Sequence, residues 1–244
     1  MKKIGFTIWL SLAWLLTGCE SDNPIEPINE TSGPISGTVN LFTSAGITAQ
    51  FNDMTVNIVG TDYTAITNTE GYYNFPSVPF GDYRLEFIKE NYGTYYEDVT
   101  HNKGFSQFGT QVITLSLGEI SKTSIYETIE KIENGDLLIR IVTIPIGTVT
   151  NPTYVTIFFG SNVDVSNFNN QAVFGPLTFN SGNAGNVVTI PAEKLANMGF
   201  EVGDAVYFIV YGDSYHTNTY QSDSGLAHPN VSVPGSSIMS FVRR

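Results

Sequence analysis

From position 35 onward the chain repeats short apolar runs with a period of two, separated by Gly, Pro, Asn and Asp. Ile35-Ser36-Gly37-Thr38-Val39-Asn40-Leu41 and the run at 55–60 place apolar side chains at every second residue. An extended backbone puts such residues on one face. A strand at 63–67 follows, closed by the turn Asn68-Thr69-Glu70-Gly71, and then Tyr72-Tyr73-Asn74-Phe75. Tyr73 and Phe75 are two apart and are expected to point together into a core. Runs at 83–87, 95–99 and 111–117 complete the first half. After a junction at 119–122, alternation resumes at 123–132. Glu133-Asn134-Gly135-Asp136 predicts a tight hairpin, because Asn-Gly accepts positive φ at both central positions. The return strand at 137–144 is apolar on both sides. Further strands are predicted at 153–160, 171–179, 186–190, 204–211 and 237–242. In the 204–211 run Val206, Phe208 and Val210 face one side and Ala205, Tyr207, Ile209 and Tyr211 the other, which marks a middle strand. One short helix is expected between Pro191 and Gly199, with Pro at its start and Gly just past its end. The pattern predicts an all-β chain of two tandem β-sandwiches, at 35–118 and 119–244.

The N-terminus departs from this pattern. Lys2 and Lys3 precede an apolar run at 4–16, thirteen residues long, which is short of the ~20 a membrane-spanning helix needs. Leu16-Thr17-Gly18-Cys19 follows and holds the only cysteine of the chain. This stretch resembles the lipobox of bacterial lipoproteins. The resemblance implies a signal peptide at 1–18, cleavage before Cys19 and lipid on its sulfur. Glu20-Ser21-Asp22-Asn23 resembles the surface-export signal of some Gram-negative lipoproteins. It implies the outer membrane at the cell surface, with the periplasmic face as the alternative. Residues 19–34 carry Pro24, Pro27 and Pro34 with no apolar period and read as a flexible tether.

Composition adds two constraints. The chain of 244 residues is 41% hydrophobic and 13% aromatic, enough to pack a core. Formal net charge is −12, and losing Lys2 and Lys3 with the leader makes the remainder more acidic. Such a surface repels phosphate backbones, so no nucleic-acid partner is expected.

The order of Ile35-Ser36-Gly37-Thr38-Val39, Val56-Asn57-Ile58, Thr67-Asn68-Thr69-Glu70-Gly71-Tyr72-Tyr73-Asn74-Phe75 and Val78-Pro79-Phe80-Gly81-Asp82-Tyr83-Arg84-Leu85 resembles the carboxypeptidase regulatory-like (transthyretin-like) domain. That resemblance implies a seven-stranded sandwich serving as an accessory module, with no catalytic residues to transfer. In the second half, a helix, then Glu201-Val202-Gly203-Asp204, then a hydrophobic strand is similar to fibronectin-like modules of exported bacterial proteins. It implies an immunoglobulin/fibronectin-III-like sandwich.

Motifs for catalysis are missing from the sequence. It contains no Gly-x-Ser-x-Gly elbow, no HExxH, no phosphate-cradling glycine loop and no EF-hand spacing. His101, His216 and His228 are scattered and expected at the surface, so a zinc site, which needs three or four convergent ligands, is not expected. Glu127, Glu130 and Glu133 lie near the hairpin, and Asp204 and Asp213 flank one strand; all are expected on solvated faces rather than in a glycosidase cleft. No cofactor is expected, and calcium between loops through Asp62, Asp82, Asp213 or Asp223 is the metal the sequence leaves open.

Two tyrosine clusters remain, Tyr92, Tyr95 and Tyr96, and Tyr211, Tyr215 and Tyr220. The second surrounds the polar stretch Gly212-Asp213-Ser214-Tyr215-His216-Thr217-Asn218. Aromatic rings stack on sugar faces while acids and amides bond sugar hydroxyls. Tyr211, Asp213, Tyr215, His216 and Tyr220 are therefore the candidate ligand site. The expected function is a membrane-anchored, surface-exposed, non-catalytic binding or structural lipoprotein that meets a glycan. The second expectation is an accessory subunit of an adhesion or nutrient-capture assembly that meets an envelope protein. The third is a hydrolase with an unrecognised site.

Overall fold

A computed structural model describes residues 31–106, 111–223 and 225–244. The leader at 1–18, Cys19 and the tether through residue 30 lie outside the described residues.

The protein is all-β, and its strands form two β-sandwiches. In the first, β1 (Ser32–Phe42) lies between β4 (Tyr72–Pro79), antiparallel to it, and β7 (Gln111–Gly118), parallel to it. The facing sheet has the order β3 (Thr64–Ile66), β2 (Thr55–Ile58), β5 (Gly81–Ile88), β6 (Tyr95–His101). A single helical turn, α1 (Lys103–Ser106), leads from β6 toward β7. The alternation in the sequence sets the packing. Ile35, Val39 and Leu41 from β1, Val56 and Ile58 from β2, and Leu85 and Phe87 from β5 are fully buried. Tyr73 and Phe75 point into the same core, 1% and 2% exposed. A fully buried side chain of this size stabilises the fold by roughly 1.5–3 kcal/mol. Gly71 adopts φ +76°, and a Cβ there would lie 2.2 Å from the Val39 carbonyl oxygen, so the turn before β4 requires glycine. Residues 32–34, placed with the tether by Pro34 and the lack of an apolar period, are strand: Ser32 pairs with Pro79 and Gly33 with Val78, before an irregularity ahead of Ile35.

In the second sandwich, β8 (Ser124–Glu133), β9 (Asp136–Ile144) and β12 (Asn186–Ile190) form one sheet with β9 central. The other has the order β11 (Ala172–Phe179), β10 (Thr153–Gly160), β13 (Ala205–Asp213), β16 (Met239–Val242). The hairpin between β8 and β9 carries φ 54° at Asn134 and 90° at Gly135, as the Asn-Gly pair predicts. Helix α2 (Ala192–Asn197), with Pro191 at its N-cap, crosses from β12 to β13 and inserts Leu195 into the core. Leu137, Ile139 and Ile141 of β9 meet Val155, Ile157 and Phe159 of β10 and Val206, Phe208 and Val210 of β13 between the sheets.

Every residue of β10 is buried. Its second face carries Phe158, which packs with Ile209, Tyr211, Val165 and Val231. Val165 and Val231 come from connections, so loops rather than a third sheet cover this side. Within the segment 220–227 a short ribbon forms from β14 (Tyr220–Ser222) and β15 (Gly225–Ala227).

Candidate functional site

The stretch from Tyr211 to Tyr220 leaves β13 and runs along the first sandwich instead of standing free as a loop tip. Asp213 is 1% exposed. Its Oδ2 accepts the Thr156 hydroxyl at 2.5 Å and its Oδ1 accepts the Ser214 N–H at 2.7 Å. Burial raises its carboxyl above the ordinary range, and these two hydrogen bonds oppose that shift. The Ser214 hydroxyl donates to the Glu119 carbonyl at 2.6 Å, and that of Ser121 to the Asp213 carbonyl at 2.8 Å. Asn218 is buried and connects both halves of the chain. Its Oδ1 accepts the Gly118 N–H, and its Nδ2 donates to the carbonyls of Gly118 and Tyr92, each at 2.8 Å. Its own N–H donates to Asn230 Oδ1 at 3.0 Å, and Asn230 Nδ2 reaches the His216 carbonyl at 2.7 Å. The backbone joins in, with Ser121 N–H on the Asn230 carbonyl at 2.8 Å and Tyr215 N–H on that of Ser44 at 3.0 Å. The polar segment is a seam between the sandwiches, and its amides and hydroxyls bond backbone that no strand ladder satisfies.

The five candidate ligand residues fall in different surroundings. Tyr211 is buried, its ring edge-on to Phe158 at 5.5 Å. Asp213 is closed off from solvent. His216 lies half-buried on Phe42, ring centroids 4.1 Å apart, and burial lowers its pKa. Tyr220 belongs to another patch, edge-on to Tyr95 at 6.1 Å and Tyr96 at 5.1 Å. Tyr215 alone is open, at 55% exposure. It lies over Gly46, where a Cβ would come within 2.8 Å of its ring, and stands edge-on to Tyr154 at 5.7 Å. These five residues do not share one face.

The two tyrosine clusters separated in sequence thus meet through Tyr95, Tyr96 and Tyr220, while Tyr92 is buried at the seam. The hydroxyls of this patch are engaged, Tyr95 with Glu97 at 2.5 Å and Tyr96 with Glu86 at 2.7 Å. The bond to Glu86, with burial behind it, pushes the Tyr96 phenol up to about 12.

Two histidines expected at the surface are interior. His101 is 1% exposed, with Nε2 3.2 Å from the Gly33 carbonyl oxygen. His228 is buried edge-on to Phe158 with neither ring nitrogen bonded, and burial lowers its pKa to about 4. Glu127 pairs with Arg140 at 2.6 Å and Glu133 with Lys131 at 3.1 Å, both partly exposed. Asp204 accepts the Glu201 N–H at 2.6 Å, and Asp82 the Thr100 hydroxyl at 2.7 Å. Among the described residues no three His, Asp or Glu side chains come together as a metal site.

A recess that sequence reasoning missed lies in the connection from β10 to β11. Residues 161–171 read Ser-Asn-Val-Asp-Val-Ser-Asn-Phe-Asn-Asn-Gln. Their signal was length: eleven residues join neighbouring antiparallel strands that two to five would close. The loop is held from within. Val165 packs into the apolar cluster over β10, and Asn167 Nδ2 donates to the His228 carbonyl at 2.9 Å. The Ser166 hydroxyl accepts from the N–H groups of Phe168 and Asn169 at 3.3 and 3.0 Å. A cavity of about 290 Å³ opens among Asn162, Asp164, Asn169, Asn170 and Gln171, with Gly160 and Val165 behind them.

No protein-family model matches the chain, and no curated protein matches it. Among solved structures it is similar to a candidate carbohydrate-binding protein of Bacteroides uniformis ATCC 8492, at 14% identity over 86% of this chain and 98% of that one, TM-score 0.33. It is similar also to a DUF3823 family protein of Bacteroides ovatus ATCC 8483, at 12% identity over 87% of this chain and 100% of that one, TM-score 0.32. A DUF3823 family protein of Parabacteroides merdae ATCC 43184 matches at 11% identity over 86% of this chain and 98% of that one, TM-score 0.29.

Proposed function

We propose that the chain is an exported lipoprotein, anchored through Cys19 at the outer membrane, whose body is a non-catalytic, cofactor-free glycan-binding module. The body comprises a carboxypeptidase regulatory-like sandwich at 35–118 and a fibronectin-III-like sandwich at 119–244. Three antiparallel strands facing four support the latter reading. The leader supports export and anchoring through its lipobox.

One observation carries the binding role: the arrangement of strand ends about the seam. β1 starts at Ser32, and its eleventh residue, Phe42, meets His216 at the seam. Beyond it, β10 starts beside the seam, where Tyr154 pairs with Asp213, and runs away from it to Gly160. At ~3.3 Å per residue the six steps from Tyr154 to Gly160 span about 20 Å. The start of β1 and the polar recess thus lie off the seam on different sandwiches, as a module that presents a surface to solvent requires.

A second reading, an accessory subunit meeting an envelope protein, is favoured by Tyr126. It is 73% exposed on the edge strand β8, and an exposed aromatic ring suits a protein interface. A glycan array and an envelope-protein pull-down with the Cys19→Ser chain separate the two. Glycan retention supports the first reading, and protein capture without glycan retention replaces it with the second. Cys19→Ser is expected to release the protein from membranes, and unchanged retention would refute lipidation.

A further inference from the structure

We infer that the recess between β10 and β11 is the sugar site and receives one ring of a neutral glycan. This rests on the glycan reading above and moves the site from the Tyr215 segment to the 161–171 loop. Asn162 and Asp164 are exposed, and neither side chain has a hydrogen-bond or ion-pair partner among the described residues. Asn169 uses only its Nδ2, on the Asp164 carbonyl at 3.3 Å, and Asn170 only its Nδ2, on the Ser166 carbonyl at 3.3 Å. Each keeps a free Oδ1. Gln171 is engaged, with Oε1 accepting the Ser161 hydroxyl at 2.7 Å, and serves as wall.

The free groups therefore comprise a carboxylate, a whole carboxamide and two amide oxygens. They can accept several O–H donors and donate to one or two hydroxyl oxygens. Adjacent sugar hydroxyls, each both donor and acceptor, match that inventory. Among the described residues no Lys, Arg or His lines the recess, so an anionic sugar would meet Asp164 with nothing there to pair its charge. The volume of about 290 Å³ lies at the lower limit of small-molecule sites, roughly 300–1,000 Å³, which suits one ring of a longer chain. Phe168, in the same loop but outside the recess lining, is 49% exposed and offers an apolar surface to the part of a glycan that extends beyond the recess. Val165, Ser166 and Asn167 hold the loop in place before a ligand arrives, which lowers the ordering cost of binding.

The test measures retention of the Cys19→Ser chain on immobilised glucan, mannan, galactan and xylan, with polygalacturonate as the anionic control. Asp164→Ala, Asn162→Ala and Phe168→Ala are compared with Tyr215→Ala. Because Asn162, Asp164 and Phe168 are exposed, their variants are expected to keep the parent melting temperature. The expected result is binding to at least one neutral polysaccharide, weakened ~tenfold or more by Asp164→Ala and Asn162→Ala and unchanged by Tyr215→Ala. Neutral-glycan binding that survives all three loop substitutions overturns the site and leaves the glycan function standing. Preference for polygalacturonate overturns the neutral assignment. Failure to bind any of the five overturns the glycan reading itself.

Discussion

Asn218→Ala tests whether the seam joins the sandwiches energetically as well as spatially. The side chain is 1% exposed and makes three hydrogen bonds of 2.8 Å, one from the Gly118 N–H and two to the carbonyls of Gly118 and Tyr92. Alanine leaves the buried Gly118 N–H without an acceptor and takes a donor from each carbonyl. A stranded buried donor costs about 1–3 kcal/mol, and each lost carbonyl bond roughly 0.5–1.5 kcal/mol. The expected destabilisation is on the order of 3 kcal/mol, a large share of the 5–15 kcal/mol typical of a folded protein. Both tryptophans, Trp9 and Trp14, lie outside the two sandwiches, so unfolding in urea is followed by tyrosine fluorescence and far-ultraviolet circular dichroism. With a slope of roughly 2–3 kcal/mol per molar urea, the midpoint should fall by about 1–1.5 M. The two probes coincide in the parent if the seam couples the sandwiches, and separate into two transitions in the variant. Asn218→Asp keeps an acceptor for Gly118 but cannot donate and buries a charge, so it should be no better than alanine at neutral pH. A change below about 0.5 kcal/mol with one unsplit transition would refute the coupling.

His228 has a folded pKa of about 4, below the ordinary 6.5, so between those values the unfolded chain holds the extra proton and stability falls as pH drops from about 6.5 to about 4. His228→Phe should flatten most of that slope in melting temperatures taken from pH 7.5 to 4, with His216, lowered in the same direction, supplying the remainder; an unaltered slope counts against it. Asp213 has the opposite linkage. Its folded pKa is raised, so the folded state holds the proton longer and loses stability as pH rises through that value. Asp213→Asn should therefore compare more favourably with the parent at pH 7 than at pH 3.5, and the reverse ranking would contradict the burial argument. Gly71→Ala places a Cβ in a left-handed conformation against the Val39 carbonyl, and should cost at least about 2 kcal/mol in urea denaturation; a neutral result would mean that the turn rearranges.

Strands were the legible part of the chain because alternation is a local property. The run at 153–160 and that at 186–190 coincide with β10 and β12, and Asn134-Gly135 fixed its hairpin through backbone preference alone. Pairing across distance left no such trace. β7 lies parallel to β1, with Leu115 beside Val39, and nothing within 111–117 distinguishes that neighbour from an antiparallel one. The apolar second face of the 204–211 run showed that a cover exists. It could not show that Val165 and Val231 supply it, because connections carry no period. The burial of His101 and His228 was equally hidden, since each follows from what packs over it.

The stretch at 212–218 shows why residue type is a poor guide to a binding site. Tyr, Asp, Ser, His and Asn side by side suit sugar hydroxyls, and they suit stranded backbone equally well. The context of the second chain segment decides between them. The junction at 119–123 forms no strand, so the Glu119 carbonyl and the end of β7 at Gly118 depend on side chains for partners. Ser214, Asn218 and Asn230 provide them, and their donors and acceptors are used inside the protein. The 161–171 loop has the same amide-rich composition and the opposite outcome. There Ser166 bonds the backbone of the turn, and the Asn162 and Asp164 side chains face solvent with no partner to give up. A ligand at the seam would have to break bonds that hold the two sandwiches together, whereas one at the loop displaces only water. Unengaged polar side chains around a preformed recess, rather than the density of polar residues along the chain, are what separate a site from a structural joint.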